Sequence, residues 1–154
     1  MSDNSDRPAN LQLAHVDGVA AVDDTNGFGI KIPFAKYLGL HVTEQTAAGA
    51  RLRVDRRPEL LNSWGVMTGG VIMTMLDLAM GAAVRGQAGA GVSVATMDIS
   101  MAFMNPAKGD FYVEGRVLQA TKTAWFCEAE ARAGDGMLIA KCIGTLKPLP
   151  PKHN

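Results

Sequence analysis

In the stretch MTGGVIMTMLDLAMGAAV, Met67 to Val84, a single carboxylate, Asp77, stands between Leu76 and Leu78 in an otherwise apolar run. An ionised carboxylate in such surroundings costs free energy unless it is paired, hydrogen-bonded or open to solvent. Placed where a substrate can reach it, the same group is a candidate base or nucleophile. Arg85 lies two turns further on, too far for an ideal helical ion pair. The plainer alternative is a carboxylate that meets a distant cation or water at a helix edge.

Thr68-Gly69-Gly70 opens the same run. A helix N-terminus has unpaired N–H groups and the positive end of the helix dipole. Glycine lets a ligand approach that backbone closely. A carbonyl oxygen gaining negative charge could be held there, as in an oxyanion hole. Close packing of the helix start, or an ordinary capped terminus, would also explain the glycines.

Spacing constrains how the two elements combine. Gly69 and Asp77 are eight residues apart, which is about 12 Å along a helix rising ~1.5 Å per residue. A base or nucleophile must come within roughly 3 Å of its target. One helix cannot bring both groups to one carbonyl, but two copies side by side and antiparallel can. The spacing thus predicts a symmetric dimer with two shared sites.

The elements around the helix follow from periodicity and turn residues. PFAKYLGL reads as a short helix opened by Pro33. GLHVTEQTAAGARLRVD reads as two strands about a turn near Ala47 to Gly49, and RRPELLNSWG as a loop. The central helix is expected from Thr68 to about Arg85, capped by Thr68 and ended by Gly86 and Gly89. It carries apolar or small residues on every face, so the fold should enclose it. Four strands follow: VSVATMDISMAFM, DFYVEGRVLQA, TAWFCEAEARA and GMLIAKCIGTLKPL. Their short turns predict a meander of antiparallel neighbours. The architecture is α+β, one antiparallel sheet wrapped around one long central helix.

The 154 residues fit one domain, and 47% hydrophobic with 19% charged residues supports a packed core. Lys+Arg and Asp+Glu stand at 15 each, which gives no electrostatic footprint for nucleic acid. Asp77 and Arg85 interrupt the longest apolar run, so no membrane span is expected. The N-terminus lacks a basic segment followed by an apolar run, so no secretory signal is read and a cytoplasmic location is expected. Residues 1–27 read as a flexible leader, 28–148 as the domain and 149–154 as a tail.

Cys127 and Cys142 are expected as reduced core thiols on one face of adjacent strands, directly or diagonally opposed. A disulfide or metal pair is the alternative, although no further Cys or His has ligand spacing. His15, His41 and His153 do not neighbour the motif. The methionines cluster around the helix and the next strand. Core packing explains them, and a soft, adaptable lining for an apolar ligand that includes Met73 is the sharper reading. Trp64 is a loop anchor or a wall of that pocket.

NSWGVMTGGVIMTMLDLAMGAAV, followed by VATMDISMAFMNPAKGD, resembles the hotdog-fold acyl-CoA thioesterases of the phenylacetate-degradation type. Their pattern is Asn, a Gly, His-Gly-Gly and an Asp nine residues after the His. A Thr or Ser then opens the next strand, which ends in Pro-Ala-Lys-Gly. Asn62, Gly65, Gly69, Gly70, Asp77, Thr96 and Pro106-Ala107-Lys108-Gly109 match, within a likeness over about residues 30 to 148. The resemblance implies a hotdog fold in a homodimer or a dimer of dimers. It implies an acyl-CoA substrate with a medium-chain or aryl acyl group, and neither cofactor nor metal.

By the same resemblance Asp77 activates water or attacks the thioester carbonyl. The Gly69 or Gly70 N–H of the other subunit polarises that carbonyl, Asn62 positions water or thioester, and Thr96 orients Asp77 or its water. Thr68, which stands where the family has His, can still donate a hydrogen bond to the substrate. Lys108, Lys122 and Arg116 are candidates for the CoA phosphates. The Thr68 departure keeps a second reading open, a non-catalytic hotdog module that binds acyl-CoA or an acyl ligand. A hotdog dehydratase or hydratase would need a His-containing pair that this stretch lacks.

Thr96 presents a conflict. Simple alternation sets Met97, Ile99, Met101 and Phe103 on the greasier face and Thr96, Asp98 and Ser100 opposite. For Thr96 to face the helix, either a bulge shifts the register or both faces are buried at a dimer sheet.

Overall fold

Pro33 sets the first turn of α1 (Pro33–Leu38), and Gly39, with φ 70°, turns the chain out of it. The computed structural model describes residues 25–89 and 91–150. Residues 1–24 of the expected 1–27 leader, and the last residues, 151–154, lie outside them. Within residues 25–28 the chain is tied to the domain. The Val42 N–H donates to the Asn26 carbonyl, the Asn26 amide donates to the Leu40 carbonyl, and Phe28 is buried.

Two strands follow α1, β1 (Leu40–Thr46) and β2 (Gly49–Val54), joined by a two-residue turn. The expected loop after β2 contains a short 3-10 turn, Pro58–Leu60. Then comes α2 (Gly69–Ala88), and after it β3 (Ser93–Phe103), β4 (Phe111–Ala120), β5 (Trp125–Ala133) and β6 (Leu138–Leu149). The six strands form one sheet in the order β1-β2-β4-β5-β6-β3. Every pair is antiparallel. The chain has the α+β architecture expected of it, with α2 lying on the sheet. Leu149, the last residue of β6, pairs with Ser93.

The expected four-strand meander is overturned at its first turn. β3 pairs with β6 at the sheet edge, and β4 pairs with β2. A 20-residue helix carries the chain about 30 Å, which brings it out at the far edge. The connection containing Pro106 is therefore a crossing and not a hairpin. Its amides bond elsewhere, Met104 and Asn105 N–H both donating to the Ile139 carbonyl.

Glycines set the closeness of helix and sheet. A Cβ on Gly115 of β4 would overlap the Ala79 carbonyl, and one on Gly86 would overlap the Thr46 carbonyl of β1. Gly86 therefore does not end the helix as expected, because its missing side chain admits the neighbouring strand. Gly89, with φ 113°, ends it. Met75, Leu76, Ala79 and Met80 are fully enclosed. Enclosure on all sides is not observed, however. Gly70 is exposed, Met73 is 45% exposed, and Thr74 and Asp77 are half-buried. These positions recur at i, i+3, i+4 and i+7, so one stripe of α2 stays open. The sheet curls around the other sides only.

Cys127 and Cys142 sit on the core face, diagonally opposed, since Ala129 pairs with Cys142 and Cys127 with Gly144. Both are free, and burial pushes them up to about 12 and about 11, so they stay protonated thiols. On the outer face Glu128 is buried between Arg116 and Lys141, while Glu130 meets Lys141 and Arg132.

Candidate active site

The Thr96 hydroxyl donates to Asp77 Oδ1 at 2.7 Å. A bulge resolves the conflict in β3. Thr96 pairs with Leu146 and Asp98 with Thr145, so Met97 is the extra residue between them. Thr96 thereby shares the inward face with Ile99, Met101 and Phe103, whose partners Gly144, Cys142 and Ala140 are all buried. Met97, expected with the greasy face, is instead 64% exposed. Asp77 Oδ2 has no hydrogen bond among the described residues, so the carboxylate is oriented through one oxygen and unengaged at the other.

At the other end of the open stripe stand Gly69 and Gly70, the first two residues of α2. Their N–H groups make no hydrogen bond among the described residues, as expected for the first turn of a helix. Nothing lies within 4 Å of where a Gly70 side chain would begin, and at Gly69 the Phe103 ring is 3.5 Å away. Thr68 occupies the N-cap position with extended geometry, but its side chain makes no cap bond. Instead its carbonyl accepts from the Val71 and Ile72 N–H groups at 3.1 and 3.3 Å. The Thr68 hydroxyl is thus not committed to the cap role expected of it.

Asn62 shapes the loop before the helix. Its Oδ1 accepts from the Trp64 N–H at 2.9 Å and the Val66 N–H at 3.4 Å. That fixes Nδ2 as the end left to donate. Trp64, at the loop tip, is 85% exposed. Two main-chain bonds anchor the helix start, Thr68 N–H to the Leu60 carbonyl at 2.9 Å and Met67 N–H to the Ala107 carbonyl at 3.1 Å. The second joins the Asn62 loop to the Pro106–Gly109 stretch.

The expected residues therefore fall into two groups on one face of α2. Asp77 and Thr96 form one, and Asn62, Thr68, Gly69 and Gly70 the other, with Met73 midway. Lys108 is exposed beside the second group. Lys122 is exposed in the β4–β5 turn, next to the row Ala120–Trp125–Leu146–Thr96 that ends on the first group. Arg116 is engaged by Glu128 on the outer face of the sheet, which removes it from the candidates for CoA phosphates.

Two arginines near these elements were given no partner by the sequence reading. Arg56 donates to the carbonyls of Gly65 and Lys108. It lay in a segment read as loop, where residue type alone does not reveal a partner. Arg85 is buried near the Phe28 ring, 6.0 Å from its centroid. Burial lowers its pKa, and its Nε and Nη2 have no hydrogen-bond partner among the described residues. Among the described residues no three of His, Cys, Asp and Glu cluster as metal ligands. No helix among them is long and apolar enough to cross a membrane.

The open face of α2 thus carries a carboxylate oriented by a hydroxyl towards its middle and the N–H groups of Gly69 and Gly70 at its start. Comparison with known proteins gives the family. The Thioesterase superfamily pattern matches residues 65–140. A Saccharolobus solfataricus protein provisionally assigned as an esterase is 32% identical over 111 residues, covering 71% of this chain and 79% of that protein. A conserved Pseudomonas aeruginosa protein superposes with a TM-score of 0.74 at 28% identity, over 79% of this chain and 97% of that one. The E. coli PaaI protein from the phenylacetic acid degradation operon has a TM-score of 0.69 at 17% identity, over 79% and 87% of the two chains, and shares the fold. The chain belongs to the thioesterase superfamily, with the hotdog fold. By that membership it is an enzyme of the thioester-hydrolase class.

Proposed function

We propose that the protein is an acyl-CoA thioesterase of the phenylacetate-degradation type, which hydrolyses a medium-chain or aryl acyl-CoA to the free acid and CoA. The observation that carries this reading is the Thr96–Asp77 bond of 2.7 Å on the one open face of α2. The hydroxyl holds one carboxylate oxygen and leaves the other to take a proton from water or to attack the thioester carbon. The Gly69 or Gly70 N–H stabilises the oxyanion. Asn62 Nδ2 and the Thr68 hydroxyl are donors for the thioester or the water. Met73 and Trp64 offer apolar surface to the acyl group.

The site is completed by a second copy. Eight residues of helix separate Gly69 from Asp77, about 12 Å, so the working pair comes from two antiparallel α2 helices. Two features support this. The open stripe of α2 is a face that a partner would cover. Among the described residues β3, 11 residues long, has β6 as its one strand neighbour and leaves an edge of unpaired backbone groups. Lys122, near the Asp77 group, and Lys108, near the Gly69–Gly70 group, are both exposed and are candidates for the CoA phosphates.

The test is a panel of acyl-CoAs, with CoA release followed by a thiol reagent. Wild type should hydrolyse some of them and Asp77→Ala should not. A second reading, the non-catalytic module, is favoured by Thr68 in place of the family His. It stands if wild type and Asp77→Ala share the same negligible rate while CoA esters still bind.

A further inference from the structure

The loop that carries Asn62 and Gly65 is bonded mostly to itself. Asn62 N–H donates to the Val66 carbonyl at 2.8 Å, Gly65 N–H to the Asn62 carbonyl at 2.9 Å, and Asn62 Oδ1 takes the Trp64 and Val66 N–H groups. Between Ser63 and Val66, one side-chain bond among the described residues leaves this loop. It is the bond from Arg56 Nη2 to the Gly65 carbonyl, 3.0 Å. The other arm of the same guanidinium, Nη1, donates to the Lys108 carbonyl. Arg56 has no carboxylate partner among the described residues. Its planar fork is spent on two main-chain carbonyls from the two loops that flank the start of α2.

We infer that Arg56 is a positioning residue for the candidate site, a clamp that fixes the Asn62 loop against the Pro106–Gly109 loop and so sets Asn62 and the Gly69–Gly70 N–H groups. The inference rests on the thioesterase reading for its catalytic consequence only. A guanidinium suits this task because its donors diverge at fixed angles, whereas an ammonium is a compact point charge. The existing main-chain tie, Met67 N–H to the Ala107 carbonyl, restrains the base of the loop. The clamp restrains its tip, at Gly65, five residues beyond Leu60 and four before Gly69, the first residue of α2.

Arg56→Met and Arg56→Lys test this in the full chain. Two measurements are made: steady-state hydrolysis of the best acyl-CoA, and amide hydrogen exchange resolved over residues 62–68 and 106–109. Both variants should exchange faster in those two loops, with the centre of α2 unchanged. Both should lose between about tenfold and a hundredfold in kcat, as misplacement away from the reacting atoms does, with KM within about twofold. Unchanged loop exchange overturns the clamp, whatever the activity. A rise in KM that Arg56→Lys restores also overturns it, because that pattern marks a charge meeting a substrate anion. If wild type hydrolyses no acyl-CoA, the thioesterase reading falls, and the exchange measurement still decides whether Arg56 joins the loops.

Discussion

Asp77 has one oxygen held by Thr96 Oγ1 and the other without a hydrogen bond among the described residues. Asp77→Asn keeps the size and removes the proposed base or nucleophile. We expect kcat to fall by about 10²- to 10⁴-fold, the range for a positioned acid–base group, with Tm nearly unchanged. Thr96→Val should cost less. Losing one hydrogen bond to an ionised carboxylate, about 1.5 kcal/mol, corresponds to roughly a tenfold drop in kcat, read by the same assay. Asp77 was legible from type and setting, and Thr96 from the family resemblance, which also implied that it orients Asp77 or its water; how a β3 residue turns towards the helix was not legible. Alternation alone pointed Thr96 away from the helix, and the bulge at Met97 that turns it inward leaves no mark in a hydrophobic pattern. Arg56 was less legible still, because its partners are backbone carbonyls, which every residue has.

For the elements, the glycines of α2 and the sheet separate stability from catalysis. Gly70→Ala meets nothing within 4 Å and sits at a helical position where alanine is favoured by up to about 1 kcal/mol. Thermal unfolding should show an equal or higher Tm, while kcat/KM falls because the added methyl crowds the approach to the N–H groups. Gly115→Ala should do the opposite. Its methyl overlaps the Ala79 carbonyl, and forced overpacking costs about 1–3 kcal/mol, so Tm should drop. The helix, the two-strand start and the four later strands were all legible from periodicity and turn residues. Strand order was not. A short connection containing Pro and Gly reads as a hairpin, yet the length of α2 sends β3 to the far edge and leaves room for β4 beside β2.

For the molecule as a whole, charge and symmetry make separate predictions. Burial raises the Glu130 pKa, but hydrogen bonds from Lys141 and Arg132 outweigh it and hold the carboxyl below its usual value of 4.5. A carboxyl depressed in the folded state stabilises the fold above its unfolded pKa, and that contribution is lost as pH falls through the folded pKa. The Tm advantage of wild type over Glu130→Gln should therefore be full near neutral pH and shrink below about pH 4.5. The open stripe on α2 was not legible, because an all-apolar helix looks the same whether its own sheet or a second copy covers it.

The shared site is tested most directly by mixing two inactive variants, Asp77→Asn and Gly70→Trp, after unfolding and refolding them together. In a shared-site dimer each mixed pair holds one site with both defects and one with none. Random pairing makes half of the dimers mixed, so the mixture should recover about a quarter of wild-type activity. A mixture as inactive as its two parents, with mixed dimers demonstrably present, would contradict the shared site.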